Sequence, residues 1–141
     1  MGRTLDSFAR LQPWLERSPT FKALYMAGLA LGVTIGDSLK YKWELDEKVE
    51  VAFQEEGDIF LPNTHYWDKR ITATHVVVLS HELRHAQQDE RLSGLDMERD
   101  AYYYQGLVVD ELKSKGYKVA KNWHPLTEVE ILEAYKDYYD E

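Results

Sequence analysis

The chain has 141 residues, no cysteine and a formal charge of −8 from 17 basic and 25 acidic side chains. This length fits a single domain, residues 1–141, and a hydrophobic content of 44% argues against disorder. The acidic balance argues against nucleic-acid binding, which needs a basic face. Without cysteine, a zinc site can use only His, Asp or Glu.

Two segments bear on secretion and membranes. The opening stretch MGRTLDSFAR lacks the apolar region of a signal peptide. The longest apolar stretch, ALYMAGLALGV, is too short to span a bilayer. We therefore expect a cytoplasmic protein that does not associate with a membrane.

The first predicted elements are helical. LDSFARL is expected to form a short helix that breaks near Pro13. SPTFKALYMAGLALG predicts a longer core helix, in which Ser18 is the N-cap, Pro19 takes the first helical position and Gly32 closes the end.

Residues 33–61 have the pattern of strands. Four short runs alternate polar and apolar residues between Gly, Asp and Glu clusters: VTIGDS, LKYKWEL, KVEVAFQ and GDIFLP. They predict three or four strands of a small, mostly antiparallel sheet, followed by the loop NTHYWDKR.

A helix is predicted next, from about Thr72 to Glu90. Its apolar residues Val76, Leu79 and Leu83 fall on one side at helical spacing, and two histidines fall together on the other. That pattern suits a helix between a core and a cleft.

Two further helices complete the chain. One runs from about Asp96 to Lys115 and stops at Gly116, and the last follows WHPL with a capping box of Thr127 and Glu130. The predicted fold class is α+β: an N-terminal helix, a small mostly antiparallel sheet packed on the histidine-bearing helix, a second helix and a C-terminal helix.

The stretch LSHELRHAQQ, residues 79–88, contains H-E-x-x-H from His81 to His85. The four-residue spacing stacks both imidazoles on one helix face, within reach of a single zinc ion. Glu82 points partly aside, where it can act as general base on a zinc-activated water. Burying these polar groups in an apolar helix without partners is costly, which favours a metal site over satisfied core histidines.

A catalytic zinc ion usually has three protein ligands and one open position. Glu98 is the leading third ligand, because it lies on the inner stripe of the next helix and the turn RLSGL can fold that helix back. Asp96, Asp100 and His124 are competitors, with Asp96 also suited to an N-cap.

The pair VVVLSHELRHAQQ and LDMERDAYYYQ resembles the gluzincin group of zinc metallopeptidases, especially small bacterial and phage-type domains. The strong match covers about 30 residues. The resemblance implies His81, His85 and Glu98 as zinc ligands and Glu82 as general base. It also implies that the strand DIFLP is the sheet edge along which an extended peptide binds.

The sequence departs from the gluzincin pattern at Tyr102, where many members have an aspartate that contacts a zinc-binding histidine. That contact must come from elsewhere, with Asp100 as a substitute. A metzincin site is excluded because position 91 is Arg rather than a third histidine.

The donor that would stabilise a developing oxyanion stays open. Five residues are candidates: Tyr102, Tyr103, Tyr104, His75 and His124.

The sequence predicts a zinc-dependent metallopeptidase with one Zn²⁺ per chain that acts on a peptide or protein substrate. The alternative is a zinc-binding regulatory or partner-recognition protein without turnover. A structural helical protein without metal is the third reading. Retention of Glu82 favours the enzyme, because a purely structural zinc ion needs no base.

Overall fold

The computed structural model describes residues 3–36, 53–55, 58–60, 70–89, 91–119 and 127–139. Within these ranges the chain forms five α-helices: α1 (Gln12–Arg17), α2 (Pro19–Leu31), α3 (Ala73–Ala86), α4 (Gly94–Ser114) and α5 (Glu128–Tyr139). Two 3-10 turns, Leu5–Ser7 and Ala9–Leu11, precede α1. Four short strands occur in the same ranges: β1 (Arg3–Thr4), β2 (Thr34–Gly36), β3 (Phe53–Glu55) and β4 (Asp58–Phe60).

The N-terminal helices show one wrong prediction and one that is confirmed. Pro13 lies in the first turn of α1, so it begins a helix rather than ending one. The bounds of α2 are as predicted. Ser18 accepts a hydrogen bond from the Phe21 backbone N–H (3.1 Å), and Gly32 ends the helix in the left-handed conformation at φ 72°.

Helices α2, α3 and α4 pack around one core. From α3, the predicted apolar side chains of Val76, Leu79 and Leu83 are fully buried. Helix α2 approaches α3 closely at Gly28, where an added Cβ would lie 2.9 Å from Leu83 Cδ2. Burial of each large apolar side chain contributes about 1.5–3 kcal/mol, so this face of α3 anchors the helix firmly.

The predicted α+β fold is wrong, because the described part of the chain is mostly helical. Its strands have only two or three residues each, too few to form a layer that covers a core. They pair in the order β1-β2-β4-β3, and the central β2–β4 pair is parallel. Helix-on-helix packing builds the core instead.

The strand predicted as a substrate-binding edge is an inner strand. Asp58–Phe60 pairs with β2 on one side and with β3 on the other. Among the strands that the structure describes, β1 and β3 are the outer ones. The peptide-binding edge expected along DIFLP is therefore wrong for residues 58–60.

The helix ends differ slightly from the predicted ones. Helix α3 ends at Ala86, short of Glu90, and α4 begins two residues before Asp96. The capping box of α5 is confirmed, since Thr127 N–H donates to Glu130 Oε1 (3.0 Å) and Glu130 N–H donates to Thr127 Oγ1 (3.2 Å). LKYKWEL, most of the loop NTHYWDKR and His124 lie outside the described residues.

None of the helices in the described ranges is both long enough and apolar enough to cross a membrane.

Candidate metal centre

Helix α3 begins with a reciprocal cap that uses one of the candidate oxyanion donors. Thr72 Oγ1 accepts from His75 N–H (3.3 Å), and His75 Nδ1 accepts from Thr72 N–H (3.1 Å). His75 therefore takes the part that a Glu usually plays in a capping box. It lies six residues before His81, about 9 Å along the helix axis.

His81 and His85 stack one above the other on α3, as the four-residue spacing predicts. Their Nε2 atoms are 3.0 Å apart, and the rings meet edge to face with centroids 4.7 Å apart. Both side chains are only slightly exposed. Two ring nitrogens thus face the same point beside the helix.

Glu98 reaches that point from α4. Ser93 caps this helix by accepting from Asp96 N–H (3.1 Å), which sets Glu98 one turn inside the N-terminus. Glu98 Oε2 lies 3.5 Å from His81 Nε2, and Oε1 lies 3.0 Å from His85 Nε2. His81, His85 and Glu98 thus converge, with one ligand atom each within 4.8 Å of the others. We call these three residues the triad.

The competitors for the third position have other partners. Asp96 pairs with Arg99 on the surface, at 3.1 Å. Asp100 accepts from Arg84 and from Gln88. His124 lies outside the described residues. Of the candidates that the structure describes, Glu98 alone joins the two histidines.

The electrostatics of the triad keep the Glu98 carboxylate ionised. Burial raises its pKa, but hydrogen bonds from His81 and His85, together with their charges, outweigh burial and hold the pKa at about 2. Burial alone would lower the pKa of His85. The hydrogen bond to Glu98 and the carboxylates of Glu82 and Glu98 raise it above the ordinary 6.5 instead. The site therefore attracts positive charge.

Glu82 is buried beside the triad without joining it. Burial raises the pKa of its carboxyl group, the charges of His81 and His85 oppose that rise, and the charge of Glu98 adds to it. Its Oε2 atom has no hydrogen-bond partner among the described residues. An unpartnered buried carboxyl oxygen is uncommon, because it forfeits hydration without replacing it.

The donor set fits a divalent cation. The two histidine nitrogens and the carboxylate oxygens that meet here are acceptors when the imidazoles are neutral, so only a proton or a metal ion can satisfy them together. Two ligand atoms about 2.0–2.1 Å from one ion at a tetrahedral angle lie about 3.3 Å apart. The two histidine nitrogens lie 3.0 Å apart, close to that spacing, and each has one of the two Glu98 oxygens at 3.0–3.5 Å.

Each histidine contacts a glutamine through its other ring nitrogen. His81 Nδ1 lies 2.9 Å from Gln105 Oε1, and His85 Nδ1 lies 2.8 Å from Gln88 Oε1. Asp100, expected as the direct partner of a histidine, instead contacts Gln88. The sequence analysis did not consider these two glutamines. Their spacing could have identified them, because Gln88 lies three residues after His85 and Gln105 lies seven residues after Glu98, both helical spacings.

The three tyrosines of α4 have different surroundings. The Tyr102 ring packs against His81 with centroids 4.6 Å apart. Tyr103 is 63% exposed, and Tyr104 lies under the Arg84 guanidinium group at 4.3 Å. Among the candidate oxyanion donors that the structure describes, Tyr102 is therefore the one with a ring contact to the triad.

No protein-family model matches the chain, and no match was found among curated proteins or among solved structures.

Proposed function

We propose that the chain is a zinc-dependent metallopeptidase of the gluzincin type, with His81, His85 and Glu98 as zinc ligands and Glu82 as general base. The cytoplasmic location expected from the sequence stays a prediction. The proposed substrate is a peptide or protein, including the amide bonds of cell-wall peptides.

One observation carries the proposal: a buried Glu82 carboxyl oxygen, without a hydrogen-bond partner among the described residues, lies beside three converging acceptors. A purely structural zinc site would gain nothing from this buried carboxyl group, which destabilises the fold. A general base needs a free oxygen for the water from which it takes a proton. The arrangement therefore favours an enzyme over a zinc-binding protein without turnover.

A bound zinc ion would supply Lewis-acid chemistry, lowering the pKa of water and polarising a carbonyl group. Glu82 accepts the proton of the attacking water at its free oxygen and delivers it to the amine that leaves when the peptide bond breaks. Its raised pKa suits the first step, because a carboxylate of ordinary pKa is too weak a base to take up the proton of water efficiently. Tyr102, which packs against His81, is the proposed donor to the oxyanion.

The test compares two glutamate-to-glutamine variants in a broad peptide-library digest of the zinc-loaded protein. Glu82→Gln should retain one zinc ion per chain and lose about 10²–10⁴-fold in rate, because the amide cannot accept the proton. The exposed residue Glu16 supplies the matched control, and Glu16→Gln should cleave at the wild-type rate.

Two outcomes would contradict the proposal, the first its mechanism and the second its enzymatic activity. Cleavage by Glu82→Gln at the wild-type rate would exclude Glu82 as the base. If the zinc-loaded wild type cleaves nothing, with zinc content confirmed at one per chain, a zinc-binding regulatory protein becomes the better description.

A further inference from the structure

We propose that Gln88 is a positioning residue of the metal centre, which holds His85 in the tautomer that aims the Nε2 lone pair at the ion, and that Gln105 does the same for His81. This inference rests on the metal site of the proposed function. It assigns to two neutral amides the contact expected from an aspartate.

The amide of Gln88 is fixed at both ends. Its Nε2 group donates to the Met97 carbonyl oxygen (2.6 Å) and to Asp100 Oδ2 (3.1 Å). Its Oε1 atom faces His85 Nδ1 at 2.8 Å. Both partners of Nε2 can only accept. If the Gln88 amide were rotated by a half-turn, its oxygen would face the oxygens of Met97 and Asp100 without a hydrogen between them.

The fixed amide determines the tautomer of His85. Because Gln88 Oε1 can only accept, His85 Nδ1 must carry the hydrogen. In the neutral ring, Nε2 then has the lone pair, and Nε2 is the atom 3.0 Å from both Glu98 and His81 Nε2. The orientation of Gln88 thus decides which nitrogen is free to bind a metal ion.

The support for Gln88 extends to the surface through an ion pair. Asp100 accepts from Arg84 Nε as well as from Gln88, and the Arg84 guanidinium group lies over Tyr104. Arg84 is on α3 and Asp100 is on α4, so the pair holds the two ligand-bearing helices in register. Arg84 balances the charge of Asp100, and the neutral amide of Gln88 lies between Asp100 and the Nδ1 atom of His85.

Gln105 repeats the arrangement on α4 for the other ligand. It is 1% exposed, and its Oε1 atom lies 2.9 Å from His81 Nδ1. Glu98 and Gln105 are two turns apart on the same stripe of α4. One helix therefore provides both a metal ligand and the partner of another ligand.

The test uses Gln88→Met, with Gln87→Met as matched control. Gln87 is the adjacent glutamine and donates to the Leu24 carbonyl oxygen of α2 (2.8 Å), away from the triad. Zinc affinity is measured by competition with a chromophoric chelator. Gln88→Met should weaken zinc binding about 10–100-fold, as other losses of a histidine's partner do. Gln87→Met should bind within about 3-fold of wild type, since fully separate contacts rarely couple.

A second readout needs no activity. In the zinc-loaded protein, ¹H–¹⁵N NMR reports how fast the His85 Nδ1–H exchanges with water. The exchange should be slow in wild type and in Gln87→Met, where Gln88 Oε1 accepts this hydrogen, and should become fast in Gln88→Met.

The outcomes separate this inference from the proposed function. Fast exchange of the His85 Nδ1–H in zinc-loaded wild type, or wild-type zinc affinity in Gln88→Met, would overturn the positioning role. If wild type binds zinc and cleaves nothing while Gln88→Met loses zinc affinity, the enzymatic function is wrong and the positioning role holds.

Discussion

Replacing Glu82 by Gln should make the metal-free protein more stable, although it abolishes the proposed base. Glu82 is 5% exposed and one carboxyl oxygen has no partner in the described structure, so its ionised form is poorly compensated. An unsatisfied buried polar group costs about 1–3 kcal/mol. The neutral amide keeps part of that cost. We therefore expect Glu82→Gln to raise the free energy of unfolding by about 1–2 kcal/mol at neutral pH.

The pH dependence identifies the cause of the gain. Because folding raises the pKa of Glu82 above its ordinary 4.5, the penalty is absent below about pH 4.5 and grows as pH rises through the folded pKa. The advantage of Glu82→Gln should therefore vanish in acid.

Replacing Glu98 by Gln should have the opposite effect on stability. Folding lowers the pKa of Glu98 from 4.5 to about 2, which corresponds to about 3 kcal/mol of stability above pH 4.5. That stability is lost as pH falls toward 2. Glu98→Gln removes it, so this variant should be less stable than wild type at neutral pH.

Urea denaturation of the three proteins with chelator present, at several pH values between about 3 and 8, measures both effects. For a chain of this length, 1 kcal/mol moves the melting temperature by about 3–4 °C, so thermal scans give an independent check. Equal stability of wild type and Glu82→Gln at neutral pH, or a difference that does not shrink in acid, would refute the reasoning about the buried carboxylate.

Three other substitutions test the fold and the centre. His85→Ala should lose the one zinc ion per chain that we expect elemental analysis to detect in wild type, together with the stabilisation of about 3 kcal/mol expected at a hundredfold excess of zinc over Kd; a full metal complement in this variant would contradict the ligand set. Gly28→Ala should lower the free energy of unfolding by about 1 kcal/mol in urea denaturation, because overpacking against the fully buried Leu83 exceeds the gain in helix propensity. An unchanged midpoint would show that the Leu83 side chain moves aside without cost. Ser18→Ala should lose about 1–2 kcal/mol in thermal scans, because it removes the α2 cap and a 2.7 Å hydrogen bond to Glu111; a loss below 0.3 kcal/mol would argue against the cap.

Local signals in the sequence predicted what depends on one helix. The cap at Ser18, the end at Gly32 and the stacking of His81 on His85 each follow from residues within one or two turns. The position of Glu98 required only the further step that a short turn folds α4 back against α3. These parts of the site were therefore accessible to reasoning from residue spacing.

The missed parts depend on contacts between elements. The relative rotation of α3 and α4, which no periodicity reveals, decides that Gln105 reaches His81 and that Asp100 contacts Gln88 rather than a histidine. Gln88 is different, because its spacing of three residues from His85 was a local signal that went unused. The resemblance to gluzincins implied that Asp58–Phe60 is an edge strand, and the sequence offered no check on this because strand order is not encoded locally. The fold class was wrong because alternation signals extended segments but does not show what builds the core, and in the described part of the chain helices build it.

The ligands and the glutamines that orient them all lie between His81 and Gln105, 25 consecutive residues. The gap of 13 residues between His85 and Glu98 costs only about 2 kcal/mol in loop-closure entropy, whereas ligands drawn from distant parts of the chain would cost more. Low sequence separation also favours early formation during folding. The helical hairpin can thus bring its binding atoms together before the N-terminal helices dock, and an ion captured at that stage would act as a folding nucleus as well as a cofactor.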